Sequence, residues 1–429
     1  MQRGRDPPAD LTPLTYRAAL DFLFPRITTI KFGLETTEAL LGALGNPHHV
    51  FPSIHVGGTN GKGSVATLAA EALEAAGARV GLYTSPHLVS FRERMRVNGA
   101  PASESAIAMW TARLEPVIRE RDATFFEATT AIAFADFAAR GVDIAVVEVG
   151  LGGRLDSTNV IRPLAAAVTK IARDHMKYLG DTLEDIAREK AGIAKPGAPF
   201  VIGETDPGLV EILAAEADAA VSRLEPGRSA DIRVVPPGAR WDGPLGLAGP
   251  HQRRNAAVAA ALLDALPSRW RPPAAAVREG FAAARVAGRL DRRGKWLFDV
   301  AHNPDGMDSL VTALEASPPP GPVHALVSIL GDKEWPEMLV RLDRVVDRGV
   351  LTIAPSAEGR RWDLDWLRSW LDRPDRPPAR AAWTLVPDFG EALRSVQAGA
   401  GTVLVTGSFH TVGDVMAATG AADVTDSAG

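Results

Sequence analysis

The chain reads as an α/β protein of two units, a larger domain built on a mostly parallel sheet followed by a smaller α/β domain. Three observations predict this. From Ile54 onward, short β-prone runs alternate with segments of helical period, the pattern of strand–helix–strand units. The runs Ile144-Ala145-Val146-Val147 and Ala166-Ala167-Val168-Thr169 are almost wholly apolar, as in strands covered on both faces. The polar and glycine-rich stretches gather just after these strands, where open parallel sheets bind ligands.

Taken in order, residues 1–10 carry charge without an apolar signal region and are expected to be unstructured. Helices are expected at 14–22 and 37–44. Strands are then expected at 54–57, 79–84, 143–149, 164–169 and 198–203, with helices at 62–76, 103–121, 126–140, 182–190 and 207–220. The Pro- and Gly-rich stretch 226–250 reads as an insertion or hairpin, with short strands at 232–235 and 240–247. Helices at 252–265 and 273–284 close the first domain, expected over 1–287. A second alternation over 288–429 has strands at 296–300, 323–329, 349–354, 383–386 and 402–406. Its helices are expected at 306–316, 335–346, 363–372, 388–397 and 411–418, and the Pro-rich pieces 317–322 and 374–378 are its loops. The tail after Thr419 is expected to fray.

Composition narrows the function. With 429 residues, 46% hydrophobic and 23% charged, the chain is an ordinary globular protein. A net charge of −5 gives no electrostatic footprint for nucleic acid. The absence of cysteine excludes disulfides, thiolate metal sites and a cysteine nucleophile. No run of about 18 apolar residues occurs, so a cytoplasmic protein without membrane or nucleic-acid partners is expected.

The stretch Gly57-Gly58-Thr59-Asn60-Gly61-Lys62-Gly63-Ser64 joins the first strand to a helix. Glycines let backbone N–H groups converge on an anion at the helix N-terminus, where the dipole favours negative charge. Lys62 would reach the terminal phosphates of a nucleotide, and the Ser64 hydroxyl lies where Mg²⁺ would sit. The general P-loop pattern is altered: Val56 stands at the first glycine and Gly63 separates Lys62 from Ser64. A plain glycine-rich turn is the other reading. Glu148, at a strand end before Gly150-Leu151-Gly152-Gly153, could hold Mg²⁺ or pair with an arginine. His175, in Arg173-Asp174-His175, is expected at the same sheet end. Lys190 sits in a helix, where a solvated charge is the ordinary reading. Asp299-Val300-Ala301-His302-Asn303-Pro304 ends the first strand of the second domain, as a ribose contact or as a helix cap.

These stretches, with Thr84-Ser85-Pro86-His87-Leu88, Phe125-Phe126-Glu127, Arg154-Leu155-Asp156, Glu189-Lys190-Ala191-Gly192-Ile193, His251-Gln252-Arg253-Arg254-Asn255-Ala256 and Gly288-Arg289-Leu290, run in the order found in the Mur ligase superfamily. The chain resembles its bacterial folylpolyglutamate synthase and bifunctional dihydrofolate synthase branch, and the altered loop is that family's own. The resemblance implies a P-loop NTPase-like first domain and a Rossmann-like second domain that binds the incoming L-glutamate. It implies an ATP-dependent ligase that adds L-glutamate to dihydropteroate, to folate or to both through an acyl phosphate.

Residue by residue, the resemblance places ATP on Thr59, Asn60, Gly61, Lys62, Gly63, Ser64, Asn255, Arg289, Asp299 and His302. Ser64, Ser85, Glu148 and His175 are implied to serve two Mg²⁺ sites, and Lys190 to carry a carbamate. Lys62, Lys190 and His175 are the implied catalytic residues. Phe126, Glu127, Leu155, Asp156 and Ser157 would line the pterin pocket, with the stretch 31–34 adding to it. A monomer is expected. Met176-Lys177, Val300 and Gly407-Ser408-Phe409-His410 depart from the family's pattern, which bears on the glutamate and adenine contacts. The competing readings are a peptidoglycan-type Mur ligase and a nucleotide-binding regulator without catalysis; Thr84 to His87 and Phe125 to Glu127 favour the folate branch.

Overall fold

The computed structural model describes residues 14–28, 30–373 and 380–426. The stretch 1–10 and the loop 374–378 lie outside them.

Two helices, α1 (Tyr16–Leu23) and α2 (Glu35–Ala43), precede the first sheet. Its strands are β1 (Ser53–Gly57), β2 (Val80–Tyr83), β3 (Met95–Val97), β4 (Ala100–Pro101), β5 (Ile144–Glu148), β6 (Ala165–Val168), β7 (Pro199–Ile202) and β8 (Asp231–Val234), in the spatial order β4-β3-β2-β5-β1-β6-β7-β8. All neighbours are parallel except β2–β3 and β3–β4. The intervening helices are α3 (Lys62–Ala75), α4 (Glu104–Arg121), α5 (Phe125–Ala139), α6 (Met176–Leu179), α7 (Leu183–Ala191), α8 (Pro207–Leu224), α9 (Pro250–Asp264) and α10 (Ala274–Ala283).

The second sheet holds β9 (Asp291–Arg293), β10 (Trp296–Phe298), β11 (Val323–Val327), β12 (Arg348–Leu351), β13 (Ala382–Leu385) and β14 (Thr402–Thr406), in the order β13-β12-β11-β14-β10-β9. Only the β9–β10 pair is antiparallel. Helices α11 (Pro304–Ala316), α12 (Trp335–Leu342), α13 (Leu364–Leu371), α14 (Phe389–Gln397) and α15 (Phe409–Thr419) flank it.

The period of two in β5 explains the sandwich. Ile144 and Val146 enter one apolar cluster with α3, α9 and α10, whereas Ala145 and Val147 enter another with α1, α2, α4 and α5. All five β5 residues are buried, so an apolar side chain is needed on both faces. Each buried Val or Ile contributes roughly 1.5–3 kcal/mol. This packing fixes the strand ends that carry Gly57, Glu148 and Thr169.

Three expectations are corrected. Residues 240–247 form no strand; Arg253 and Arg254 of α9 instead donate to the carbonyls of Trp241, Gly243, Pro236, Gly203 and Val235, and so hold the irregular stretch in place. The 231–234 run is not a hairpin arm but the eighth strand, parallel to β7. The tail does not fray at once either: Arg293 pairs with Asp423, and Asp426 accepts from Tyr16 and Ser90. The Asp426 contacts tie the tail to α1 and to the segment that follows Ser85.

Candidate active site

The glycine loop runs from β1 into α3. Gly58 (φ 135°) and Gly61 (φ 92°) have conformations that side chains disfavour, and the space is closed as well. A Cβ on Gly58 would lie 1.9 Å from Thr169 Oγ1, and one on Gly61 2.6 Å from Asn255 Oδ1. Thr169 in turn donates to the Asn60 carbonyl at 2.8 Å, and Thr59 N–H donates to the Lys170 carbonyl at 2.7 Å. The loop is therefore braced by the end of β6. Lys62 donates to the Thr59 carbonyl at 3.0 Å, so its ammonium lies back across the loop. Ser64 is buried in the first turn of α3.

Glu148 ends β5 and accepts the Ser85 N–H at 3.0 Å. A Cβ on Gly63 would lie 3.5 and 3.6 Å from its two oxygens, so the carboxylate faces the loop. Burial raises its pKa, against the Lys62 charge and the Ser85 hydrogen bond. His175 caps α6 in a left-handed conformation (φ 53°), a strained state typical of functional positions. Burial lowers its pKa to about 4, with Lys333, His302 and Lys62 adding to the effect and Asp174 opposing it. A neutral imidazole is the form that binds metal. Among the described residues no three His, Asp or Glu side chains gather into a ready metal cage. One buried carboxylate, the Ser64 and Ser85 hydroxyls and a neutral imidazole suit an Mg²⁺ that keeps waters and phosphate oxygens as its other ligands.

Lys190 overturns the ordinary reading of a helical lysine. It is 4% exposed and donates to the Gly58 carbonyl at 2.9 Å. Burial, then the Lys62 charge, lowers its pKa to about 7. The close approach of α7 requires Gly153, where a Cβ would stand 2.6 Å from the Glu189 carbonyl oxygen.

The second domain supplies the opposite wall. Asp299 is buried at the end of β10 and accepts Leu290 and Ala301 N–H at 2.9 and 3.0 Å. Burial raises its pKa, against the Arg289 charge. Arg289 lies 5.6 Å from the Phe409 ring centroid, and the His302 ring 5.3 Å from the same ring. Because a carbonyl only accepts, His302 Nδ1 donates to the Val300 oxygen at 2.8 Å. Asn255 sits against Gly61 and donates to Gln252 Oε1 at 2.9 Å.

The structure also brings in Lys170, Asp174, Asp305 and Lys333, to which sequence reasoning assigned no role of their own. Asn60 and Asn303 exchange amide hydrogen bonds at 3.1 and 3.2 Å, and Asn60 also donates to Asp305 at 2.8 Å. Lys170 pairs with Asp305. Asp174 meets Lys333, His302 at 3.3 Å and Asn303 at 3.2 Å. Burial alone would raise the Asp174 pKa, yet the His302 hydrogen bond and the charges of His175, His302 and Lys333 depress it. The motif Asp174-His175 was visible in the sequence; Lys333 carried no signal beyond its loop.

The residues expected to frame a pterin sit at the start of α5 and in the stretch after β5. A Cβ on Gly150 would lie 2.3 Å from Phe126 Cζ, so this ring rests on the glycine backbone. Glu127 forms a capping box with Thr124, accepting its N–H at 2.7 Å. Asp156 and Ser157 are buried and Leu155 is half-buried. In the stretch 31–34, Lys31 pairs with Asp122 at 2.8 Å and Phe32 lies 6.4 Å from Tyr178, ring to ring.

The Mur ligase middle domain family matches residues 56–263, and the Mur ligase glutamate ligase domain matches residues 286–409. A dihydrofolate synthase/folylpolyglutamate synthase of Bacillus subtilis is 32% identical over 424 residues, covering 90% of this chain and 94% of its own. The chain belongs to this family of Mur ligases. Among solved relatives of this ligase, E. coli FolC in complex with DHPP and ADP has a TM-score of 0.80 at 32% identity, over 95% of this chain and 98% of that one. A bifunctional folylpolyglutamate synthase/dihydrofolate synthase with Mn, AMPPNP and L-glutamate bound has a TM-score of 0.78 at 32% identity, over 95% of this chain and 98% of that one. No helix of the ligase among its described residues is long and apolar enough to cross a membrane.

Proposed function

We infer that this ligase joins the amine of L-glutamate to a carboxylate of dihydropteroate, of a folate or of both, using ATP. The observation that carries the reading is that a braced phosphate loop, Glu148 and buried Lys190 on one domain meet Arg289, His302 and Lys333 of the other, through the Asn60–Asn303, Asp174–His302 and Asp174–Lys333 contacts. A carboxylate is a poor electrophile. Its oxygen attacks the γ-phosphorus of ATP, the bond to the β-phosphate oxygen breaks, and ADP departs from an acyl phosphate. The glutamate nitrogen, as the neutral amine, then attacks the acyl carbon; the tetrahedral intermediate loses a proton from that nitrogen and expels phosphate to leave an amide.

Lys62 neutralises charge on the transferred phosphoryl group by leaving the Thr59 carbonyl for the phosphates. Asn255, Arg289 and Asp299 hold the nucleotide between the domains, 1–287 and 288–429, whose closure aligns the amine. Two Mg²⁺ ions, on Ser64, Ser85, Glu148 and His175 with a carbamylated Lys190, would neutralise phosphate charge and favour the leaving group. Phe126, Glu127, Leu155, Asp156 and Ser157 frame the pterin. One chain supplies both walls, so a monomer suffices, and we place it in the cytoplasm.

The test is phosphate release from ATP by the purified protein. Release is expected only with L-glutamate and a pterin or folate acceptor both present. Parallel runs with dihydropteroate and tetrahydrofolate assign one or both reactions. Release that ignores both acceptors, or no release at all, refutes the reading.

A further inference from the structure

His55 lies in β1, two residues before Gly57, and is fully buried. Its place in the strand that feeds the phosphate loop suggests a link to ATP, but its hydrogen bonds lead elsewhere. His55 Nε2 lies 2.8 Å from Thr158 Oγ1, and that hydroxyl lies 2.5 Å from Asp156 Oδ1. The chemistry fixes the direction of both bonds. A carboxylate accepts, so the single Thr158 hydroxyl proton points to Asp156. The Thr158 oxygen must then accept from His55, whose proton sits on Nε2.

Asp156 passes the arrangement on. Its Oδ1 also accepts Thr158 N–H at 3.0 Å, and its Oδ2 accepts Gly150 and Leu151 N–H at 3.1 and 2.8 Å. The Gly150 backbone is the surface on which Phe126 rests. A continuous path therefore runs from His55 through Thr158 and Asp156 to the floor beneath the Phe126 ring. Among the described residues the other imidazole nitrogen, Nδ1, is buried without a partner, which an apolar residue at this position would avoid. The relay uses the Nε2 proton.

We propose that His55 is a positioning residue for the pterin or folate acceptor, setting Asp156 and the Gly150–Phe126 shelf, and that it has no part in ATP binding. This rests on the reading of Phe126 and residues 155–157 as the pterin pocket.

The test compares His55→Leu with His55→Gln in the full-length enzyme, the Gln amide nitrogen standing as many bonds from Cβ as Nε2. His55→Leu should raise KM for the acceptor by about threefold to tenfold, the loss of one oriented neutral hydrogen bond, with KM for ATP and the thermal midpoint unchanged. His55→Gln should restore the acceptor KM. Thr158→Val, which breaks the relay from its other side, should repeat the shift if His55→Leu folds poorly. An unchanged acceptor KM in the Leu and Val variants, or equal rises for ATP and acceptor as a damaged strand would give, overturns the proposal. A wild-type enzyme that ligates no pterin or folate sinks the functional reading and this one together; an active wild type with silent variants sinks only this one.

Discussion

Lys190 offers the sharpest test of the proposed chemistry. Its amine must be neutral to attack carbon dioxide and form a carbamate. With a pKa of about 7, roughly three quarters of the amine is neutral at pH 7.5, against about 0.1% for an ordinary lysine. The buried site thus raises the reactive fraction by nearly three orders of magnitude. The same shift sets a stability trend. The folded pKa lies below the unfolded one, so protonation opposes folding by a few kcal/mol below about pH 7, and that penalty fades as pH rises toward about 10.5. Carbamylation removes it. The assay is initial-rate phosphate release in buffer stripped of carbon dioxide and then supplied with bicarbonate, with isotopically labelled carbon dioxide to detect the carbamate by NMR. Activity should fall on stripping and return on addition, and Lys190→Ala should lose most activity while staying folded. Full activity in Lys190→Ala, or an active enzyme with no labelled carbamate, refutes the reasoning.

Two further outcomes follow from the loop and the cleft. Gly58→Ala combines a forbidden φ with a Cβ 1.9 Å from Thr169 Oγ1; it should cost about 1–3 kcal/mol and abolish ADP binding, read by thermal unfolding and calorimetry. Asp174 has a depressed pKa in the folded state, so its contribution to stability is present above about pH 4 and is lost as pH falls further. Asp174→Asn should lower stability at neutral pH by roughly 3–5 kcal/mol, since it strands Lys333, and should flatten the acid limb of the unfolding profile.

The strands with apolar residues on every position were legible because burial on both faces leaves no polar option. The β3–β4 hairpin was not, although Asn98 and Gly99 form its two-residue turn with φ 47° and 71°. Its strands are three and two residues long, too short for a period to show. The loop, Glu148 and His175 could be placed because each follows a readable strand. Lys190 reads as a surface charge by its helix, and its burial depends on Gly153 admitting α7, a contact far away in sequence. Lys333 needs the docking of two domains before it meets Asp174, and no local pattern encodes that.

The two kinds of contact across the cleft answer differently to salt. Lys170 with Asp305 and Lys333 with Asp174 are attractions between full charges, and the exposed Lys170 pair is weakened once the Debye length shrinks to a few ångströms. The reciprocal amides of Asn60 and Asn303 are neutral and short-ranged, and ionic strength leaves them almost untouched. Raising the salt concentration would therefore slacken the grip between the domains without shifting their register, because the neutral pair sits on the phosphate loop itself.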